Sequence, residues 1–461
     1  MVKKIQKVAV IGSGVMGAGI AAHCANAGCE VLLLDIVPGG TEDRNSLSKN
    51  AIQKMHKSNP EMLMHQRNAK RITPGNIDDD LHLLKDFDWV IEVVVENLDI
   101  KRSLYARLSE HIGPSTILSS NTSTLPRSEL VSELPIDVSS RFLITHFFNP
   151  PRYLPLLEVV TSPEVGEDVV IRFCEFADRR LGKRVTMCND RPGFIGNRLG
   201  VYFIQRAFKA TLEYGLTVEQ ADAMLGRPIG LPKTAVFALM DLVGIDLIPH
   251  VTESLLEHLP NDDPFHKIAG TGGEVVLKMI EEGYTGRKGK GGFYRLNRDD
   301  GKKIKEAMDL QTGEYRKANR KAAFPSAKMG KRGLSSLMDC DDLGAKLVTD
   351  VLLDSLSYAA HIVPEVSDDI YSIDGAMKVG YNWKRGPFEM MDSIGIESMV
   401  QRLESSGREV PSFLSLASEK GSFYGMENGE ITRLSPSGEM IAVNRPEETL
   451  NVSDLRRRGK P

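Results

Sequence analysis

At 461 residues, with 41% hydrophobic and 26% charged side chains, the chain has ordinary globular composition. It has room for two to four domains, since single cores stop growing at about 250–300 residues. A formal charge of -4 with scattered signs gives no electrostatic case for nucleic acid.

Five cysteines, Cys24, Cys29, Cys174, Cys188 and Cys340, show no Cys-x-x-Cys spacing. They point to free thiols in a reducing compartment rather than to disulfides or a structural zinc. The start, Met1-Val2-Lys3-Lys4, superficially resembles that of a signal peptide, but the apolar run at 8–11 falls short of an h-region of ~7–15 residues. No later segment reaches the ~18 apolar residues of a membrane span, so no span and a cytoplasmic location are expected.

Residues 7–11 are a β-branched run ending in Gly12-Ser13-Gly14-Val15-Met16-Gly17, and the small residues 18–27 then read as a packed helix. Such a loop binds a dinucleotide for physical reasons. Gly12 makes the tight turn, Gly14 lets backbone approach a pyrophosphate, and Gly17 lets helix and strand pack closely; the helix N-terminus offers unpaired N–H groups. Residues 31–35 form a second buried strand ending in Asp35, whose carboxylate accepts from ribose hydroxyls and repels a 2′-phosphate. With Ile36 and Val37 next, and no Arg to neutralise that phosphate, NAD is favoured over NADP.

Residues 45–64 read as a polar helix carrying Lys54. Residues 89–95 and 116–120 continue the strands, and apolar strands alternating with helices indicate a Rossmann-type, doubly wound α/β sheet covered on both faces. The fourth strand ends in Ser119-Ser120-Asn121-Thr122-Ser123, on the carboxyl edge where ligands bind. Asn121 and Ser123 can there donate to a substrate oxygen or the nicotinamide ribose.

The chemical centre is expected at Thr145-His146-Phe147-Phe148-Asn149-Pro150-Pro151. An alcohol cannot lose hydride from its carbon unless its hydroxyl proton is removed, and His146 is the side chain suited to take it. The proline turn brings residues 154–160 back beside it, where Glu158 can orient the imidazole and stabilise the imidazolium. An isolated histidine is more often a satisfied core residue, but Glu158 and the Ser123 segment weigh against that here. No cluster has metal-ligand spacing.

After about residue 188 strands give way to helical periodicity, over 193–214, 218–225 and 234–258, and Asn197 opens this region in Pro192-Gly193-Phe194-Ile195-Gly196-Asn197-Arg198. Residues 286–294 read as a turn, lacking the Gly-Lys-Ser/Thr ending of a phosphate loop. Residues 295–332, rich in Lys, Arg, Asp and Gly, read as a solvated connector.

An internal repeat spans the connector. Ala221-Asp222-Ala223-Met224, Gly226, Pro232 and Met240-Asp241-Leu242-Val243-Gly244-Ile245-Asp246 are matched by Ile373-Asp374-Gly375-Ala376-Met377, Gly380, Pro387 and Met391-Asp392-Ser393-Ile394-Gly395-Ile396-Glu397. The expected layout is an NAD-binding domain over 1–188, a first helical domain over 189–296 and a connector over 297–340. A second helical domain over 341–427 and a tail or linker over 428–461, ending in the basic cluster 456–460, follow.

In order along the chain, the dinucleotide loop, Val95-Glu96-Asn97-Leu98-Asp99-Ile100-Lys101, Ser120-Asn121-Thr122-Ser123, His146-Phe147-Phe148-Asn149-Pro150, Leu157-Glu158-Val159 and Pro192-Gly193-Phe194 with Asn197-Arg198 resemble a known motif set. It is that of the L-3-hydroxyacyl-CoA dehydrogenase family of fatty acid β-oxidation, over roughly residues 5–425. The resemblance implies two tandem all-α domains of that family's C-terminal type after the Rossmann-type domain. The implied activity is NAD-dependent oxidation of (S)-3-hydroxyacyl-CoA to 3-ketoacyl-CoA.

His146 is then the general base, Glu158 its partner, and Ser123 and Asn197 hydrogen-bond the reacting oxygen of the acyl-CoA thioester. Gly12, Gly14, Val15, Met16, Gly17, Asp35, Glu96, Lys101, Asn121, Ser123 and Asn149 are implied to contact NAD, and Lys54 the CoA phosphates. Pro151-Arg152-Tyr153-Leu154 departs from the commoner Pro-Val-x-x-Met and is similar to fused hydratase/dehydrogenase proteins, so enoyl-CoA hydratase and thiolase partners, fused or separate, are implied. Single-copy relatives dimerise through the helical domain. The chain is accordingly a homodimer, or a monomer in which the second copy replaces that contact. Two other readings remain: a β-hydroxyacid dehydrogenase acting on free acids, and a non-catalytic scaffold of the same fold.

Overall fold

Runs such as Val8-Ala9-Val10-Ile11 and Val31-Leu32-Leu33-Leu34 have no polar face to turn to water, and they pair as central strands. The computed structural model describes residues 4–299, 302–319, 321–427 and 429–443. Two units divide the chain, Met1–Phe194 and Ile195–Pro461, a boundary slightly beyond the expected 188.

The first unit runs β1 (Lys7–Ile11), α1 (Val15–Asn26), β2 (Glu30–Asp35), α2 (Ser46–Met55), β3 (Ile72–Asn76), β4 (Trp89–Glu92) and α3 (Leu98–Ser109). It continues with β5 (Ile117–Ser120), α4 (Arg127–Leu130), α5 (Ile136–Ser139), β6 (Phe142–Phe147), β7 (Leu156–Val160), α6 (Glu167–Arg179) and β8 (Arg184–Cys188). The sheet order is β3-β2-β1-β4-β5-β6-β7-β8. Pairing is parallel from β3 through β6, β6 and β7 are antiparallel, and β7 and β8 are parallel.

Two local expectations are corrected, and one strand is added. The helix expected over 45–64 stops at Met55, because Pro60 has no N–H to continue it and the Ser58 hydroxyl takes the Met62 N–H at 2.9 Å. The strand expected to reach Val95 ends at Glu92, whose own carboxylate takes the Val94 N–H at 2.6 Å and turns the chain. β3 went unread because it holds Pro74 and Gly75, which an edge strand tolerates.

The face of the sheet under α1 and α6 buries Val10, Leu33, Trp89, Leu143, Phe147, Leu157 and Val159 in one core. Trp89 meets Phe173 and Phe176 of α6 edge-on at 5.1 and 6.0 Å. Its indole N–H donates to the Ser119 hydroxyl at 2.8 Å, which also accepts from Thr145 at 2.9 Å. β4, β5 and β6 are thus locked in one register, since a one-residue slip would send each of these side chains to the other face.

The second unit has α7 (Gly196–Glu213), α8 (Val218–Met224), α9 (Phe237–Val243), α10 (Leu247–His258) and α11 (Gly273–Glu281), then β9 (Tyr294–Asp299), β10 (Lys302–Met308) and β11 (Tyr315–Lys317). After these come α12 (Leu334–Met338), α13 (Leu343–His361), α14 (Ile370–Gly380), α15 (Pro387–Ile394), α16 (Ile396–Ser405), α17 (Ser412–Lys420), β12 (Tyr424–Glu427), β13 (Glu430–Leu434) and β14 (Met440–Ala442).

The expectation that this region is all-α is overturned. β9–β11 and β12–β14 form two three-stranded antiparallel sheets, one running from the end of the expected first helical domain into the expected connector and one running into the expected tail. Exposure alternates from Lys303 to Glu306, so β10, the central strand of the first small sheet, turns Lys303 and Lys305 to solvent on one face. Composition alone could not tell such strands from a solvated linker. The N-terminal residues 1–3 and the basic cluster at 456–460 lie outside the described residues.

Matched residues of the repeat make matched bonds. Asp222 accepts from the N–H groups of Val236, Phe237 and Ala238 and from the Tyr294 hydroxyl at 2.9 Å; Asp374 accepts from those of Phe388 and Glu389 and from the Tyr424 hydroxyl at 2.9 Å. Asp241 caps Phe293 and Tyr294, and Asp392 caps Phe423 and Tyr424. α7 and α13 then share a buried seam. Arg198 donates to the Tyr358 hydroxyl at 2.5 Å, to Asp263 and to Glu365, while Tyr202 stacks on Tyr358 at 3.8 Å. Among the described residues, no helix is long and apolar enough to cross a membrane.

Candidate active site

β6 enters the turn at Asn149-Pro150-Pro151 and returns as β7, and the ladder sets His146 opposite Glu158. Directly opposed residues share a face of the sheet, which brings imidazole Nδ1 to 2.7 Å from Glu158 Oε2. An ionised carboxylate can only accept, so Nδ1 carries the proton and donates; Nε2 is left as the basic nitrogen. Glu158 is fully buried and His146 is 7% exposed. The rings of Phe148 and Phe194 stand 4.5 and 6.0 Å from the imidazole, lowering the local dielectric and strengthening the bond.

Asn121 ties the neighbouring strand end to this pair, its side-chain oxygen accepting the Phe147 N–H at 2.9 Å. Glu96 organises the adjacent loop. It accepts from the Thr122 hydroxyl at 2.5 Å, the Ser123 N–H at 3.1 Å and the Thr124 hydroxyl at 3.2 Å, with Lys101 Nζ at 3.3 Å. Partial burial alone would raise its pKa, but Lys101 and these donors outweigh that and hold the carboxyl below its usual range.

Lys101 lies in the interior, 1% exposed, with Nζ 2.7 Å from Glu92 Oε1. Glu92 also accepts from the Tyr105 hydroxyl at 2.5 Å and the Ser120 hydroxyl at 2.6 Å. Sequence reasoning passed over Glu92. Its signal was a lone carboxylate closing an apolar strand, because a buried charge requires a partner and Lys101 follows within one helical turn of the next helix start.

The glycine loop divides its labour. A Cβ at Gly12, where φ is +105°, would run into the Val93 carbonyl, and one at Gly17 into the Gly12 carbonyl. Nothing lies within 4 Å of where a Gly14 Cβ would stand, at the N-cap of α1. Asp35 is held by the Ser13 N–H at 2.7 Å, the Ser13 hydroxyl and the Ile36 N–H at 2.7 Å. An open helix N-terminus beside an oriented carboxylate fits a pyrophosphate and an adenosine ribose. Val15 and Ile36 are exposed beside the loop, while Met16 packs against the core. Asn149 is exposed after β6, and Lys54 is exposed in the last turn of α2. Asn197 is half-buried in the first turn of α7, in the second unit.

Residues 7–191 match the family model of the 3-hydroxyacyl-CoA dehydrogenase NAD binding domain, and residues 193–296 that of the C-terminal domain. A Deinococcus radiodurans protein named as a 3-hydroxyacyl-CoA dehydrogenase is 43% identical over 297 residues, covering 64% of this chain and 84% of that protein. The chain belongs to the 3-hydroxyacyl-CoA dehydrogenase family. Its first unit is that family's NAD-binding domain. A Rickettsia felis relative named as a fatty acid oxidation complex trifunctional enzyme is 40% identical over 417 residues, 90% of this chain; the chain spans 57% of that relative's length. The fold is shared with a 3-hydroxybutyryl-CoA dehydrogenase of Escherichia coli K12, at a TM-score of 0.67 and 24% identity, covering 91% of this chain and 99% of that one.

Proposed function

We propose that the chain oxidises (S)-3-hydroxyacyl-CoA to 3-ketoacyl-CoA in fatty acid oxidation, with NAD as acceptor and His146 as general base. The observation that carries the reading is the bonded, buried His146–Glu158 pair, in the same unit as the NAD-binding loop. NAD, when bound, accepts the hydride from the carbinol carbon. His146 Nε2 takes the hydroxyl proton, and Glu158 stabilises the imidazolium and keeps Nδ1 as donor. Ser123 and Asn197 hydrogen-bond the reacting oxygen, and Glu96 fixes the Ser123 backbone for that purpose. Asp35 takes the ribose, the N-terminus of α1 the pyrophosphate, and Lys54 the CoA phosphates.

The test is NADH oxidation against acetoacetyl-CoA and longer 3-ketoacyl-CoAs, with free 3-keto acids in parallel. Turnover of the thioesters supports the reading. Turnover of free acids alone returns the β-hydroxyacid alternative, and no turnover of either returns the scaffold.

The matched Asp222/Asp374 and Asp241/Asp392 bonds support reading the second unit as two copies of the family's C-terminal module. The α7–α13 seam supports a chain whose second copy takes the place of a dimer partner; sedimentation as a homodimer would refute this. The name of the Rickettsia relative, a fatty acid oxidation complex trifunctional enzyme, supports hydratase and thiolase partners in the same pathway.

A further inference from the structure

Lys183, the residue before β8, is 2% exposed although it is a lysine. Its Nζ donates to the Pro151 carbonyl and, at 2.7 Å, to the Leu154 carbonyl. Both belong to the turn that carries the chain from His146 to Glu158. The ammonium also stands 5.4 Å from the centre of the Phe147 ring, on the residue after His146. Side chains alternate along a strand, so Phe147 and Lys183 occupy the face opposite His146, and Lys183 meets the reacting groups only through backbone.

A dehydrated ammonium is costly unless its protons are used. Here two carbonyls and an aromatic face use them, which makes the turn and the cation mutually dependent. The titratable groups facing it are His23 and Cys24 of α1. Burial, then the charge of Lys183, lowers His23 to about 4, and burial raises the Cys24 thiol well above its usual value, so both are neutral near pH 7. Arg152 is directed away, donating to the Glu61 carbonyl at 2.7 Å and the Leu63 carbonyl at 3.2 Å.

We propose that Lys183 is a positioning residue for the proton-transfer pair: by gathering the Pro151 and Leu154 carbonyls on one ammonium, it sets the path of the turn and thereby the approach of His146 to Glu158. This rests on the reading of His146 as general base. Burial lowers the Lys183 ammonium to about 8, so the anchor is charged at neutral pH and weakens just above it. Oxidation then falls as the pH rises past that value and Lys183 loses its proton.

The experiment is kcat for 3-hydroxyacyl-CoA oxidation against pH in the wild type, Lys183→Arg and Lys183→Met, with His146→Gln alongside. The wild type is expected to show an alkaline limb near pH 8, set by that lowered value. Lys183→Arg moves the limb up by more than about one pH unit, because guanidinium stays charged. Lys183→Met lowers kcat about tenfold or more while KM for NAD stays within about threefold.

A wild-type kcat with no alkaline limb overturns the proposal, as does a limb unmoved in an active Lys183→Arg enzyme. Should Lys183→Met fail to fold, Lys183→Gln, which keeps an uncharged donor for the turn, takes its place, and a kcat within about threefold of the wild type in it overturns the proposal. Near-normal turnover in His146→Gln overturns the base assignment instead, whereas an inactive His146→Gln with an unmoved Lys183→Arg limb overturns the role of Lys183 alone.

Discussion

Gly14 and Gly17, three residues apart in one loop, have opposite surroundings: a side chain at Gly17 would collide with the Gly12 carbonyl, and one at Gly14 would meet no protein atom within 4 Å. Their substitutions should therefore separate folding from cofactor binding. Gly17→Ala is expected to cost about 3 kcal/mol by overpacking. Gly14→Ala should leave the urea midpoint unchanged while weakening NADH binding about tenfold or more, because the backbone can no longer approach the pyrophosphate. Equal loss of stability in both variants would contradict the division.

His146→Gln is expected to lower kcat by about 10²–10⁴ with NADH affinity retained, the range general acid–base catalysis supplies. Glu158→Gln should cost up to about 10⁴, since the amide N–H can donate to Nδ1 and hold the wrong tautomer, and the imidazolium loses its counter-charge. Steady-state kinetics with acetoacetyl-CoA and NADH titration by fluorescence measure both. A His146→Gln enzyme that raises KM alone would place the imidazole in binding, not proton transfer.

The buried Glu92–Lys101 pair makes a prediction about stability. Lys101→Met strands a carboxylate that keeps only neutral donors, and it is expected to cost about 3 kcal/mol, as breaking a buried ion pair commonly does. Adding Glu92→Gln should recover a large part of that loss. Urea denaturation of the three variants measures the coupling, and strictly additive losses would deny it.

Asp374 links stability to pH. It is 1% exposed, and burial, with the nearby charge of Glu389, pushes its carboxyl up to about 8 against the pull of its hydrogen-bond donors. The folded value lies above the unfolded value of 3.8, so the folded state holds more protons between the two. Stability is then fully present below about pH 4 for this group and is lost as pH rises toward about 8. Calorimetry should give a higher Tm near about pH 5 than near about pH 8.5, with a flatter slope in Asp374→Asn. A wild-type Tm that climbs over this interval would mean that the donors outweigh burial.

The dinucleotide loop, Asp35, the parallel strands and the His146/Glu158 ladder were legible because each is carried by a short contiguous motif. Periodicity names the strand, a glycine or proline names the turn, and the two together bring the residues to one sheet edge. The small sheets at 294–317 and 424–442 were not legible in the same way. Their strands are short, those of the first sheet are rich in Lys and Arg, and what marks both sheets as folded is a hydrogen bond from Tyr294 or Tyr424 to an aspartate many residues earlier.

By itself the sequence carried the motifs: a histidine and a carboxylate flanking a proline turn, a glycine loop between a strand and a helix, and a repeat with matched aspartates. Only the tertiary structure decided which charges lie inside. Lys101 joins Glu92, and Lys183 holds the carbonyls of the turn beyond His146. The reason is physical. A lysine in sequence carries the prior of a solvated side chain, and its energetic meaning changes only when distant segments fold around it, exclude water and leave its protons to named acceptors.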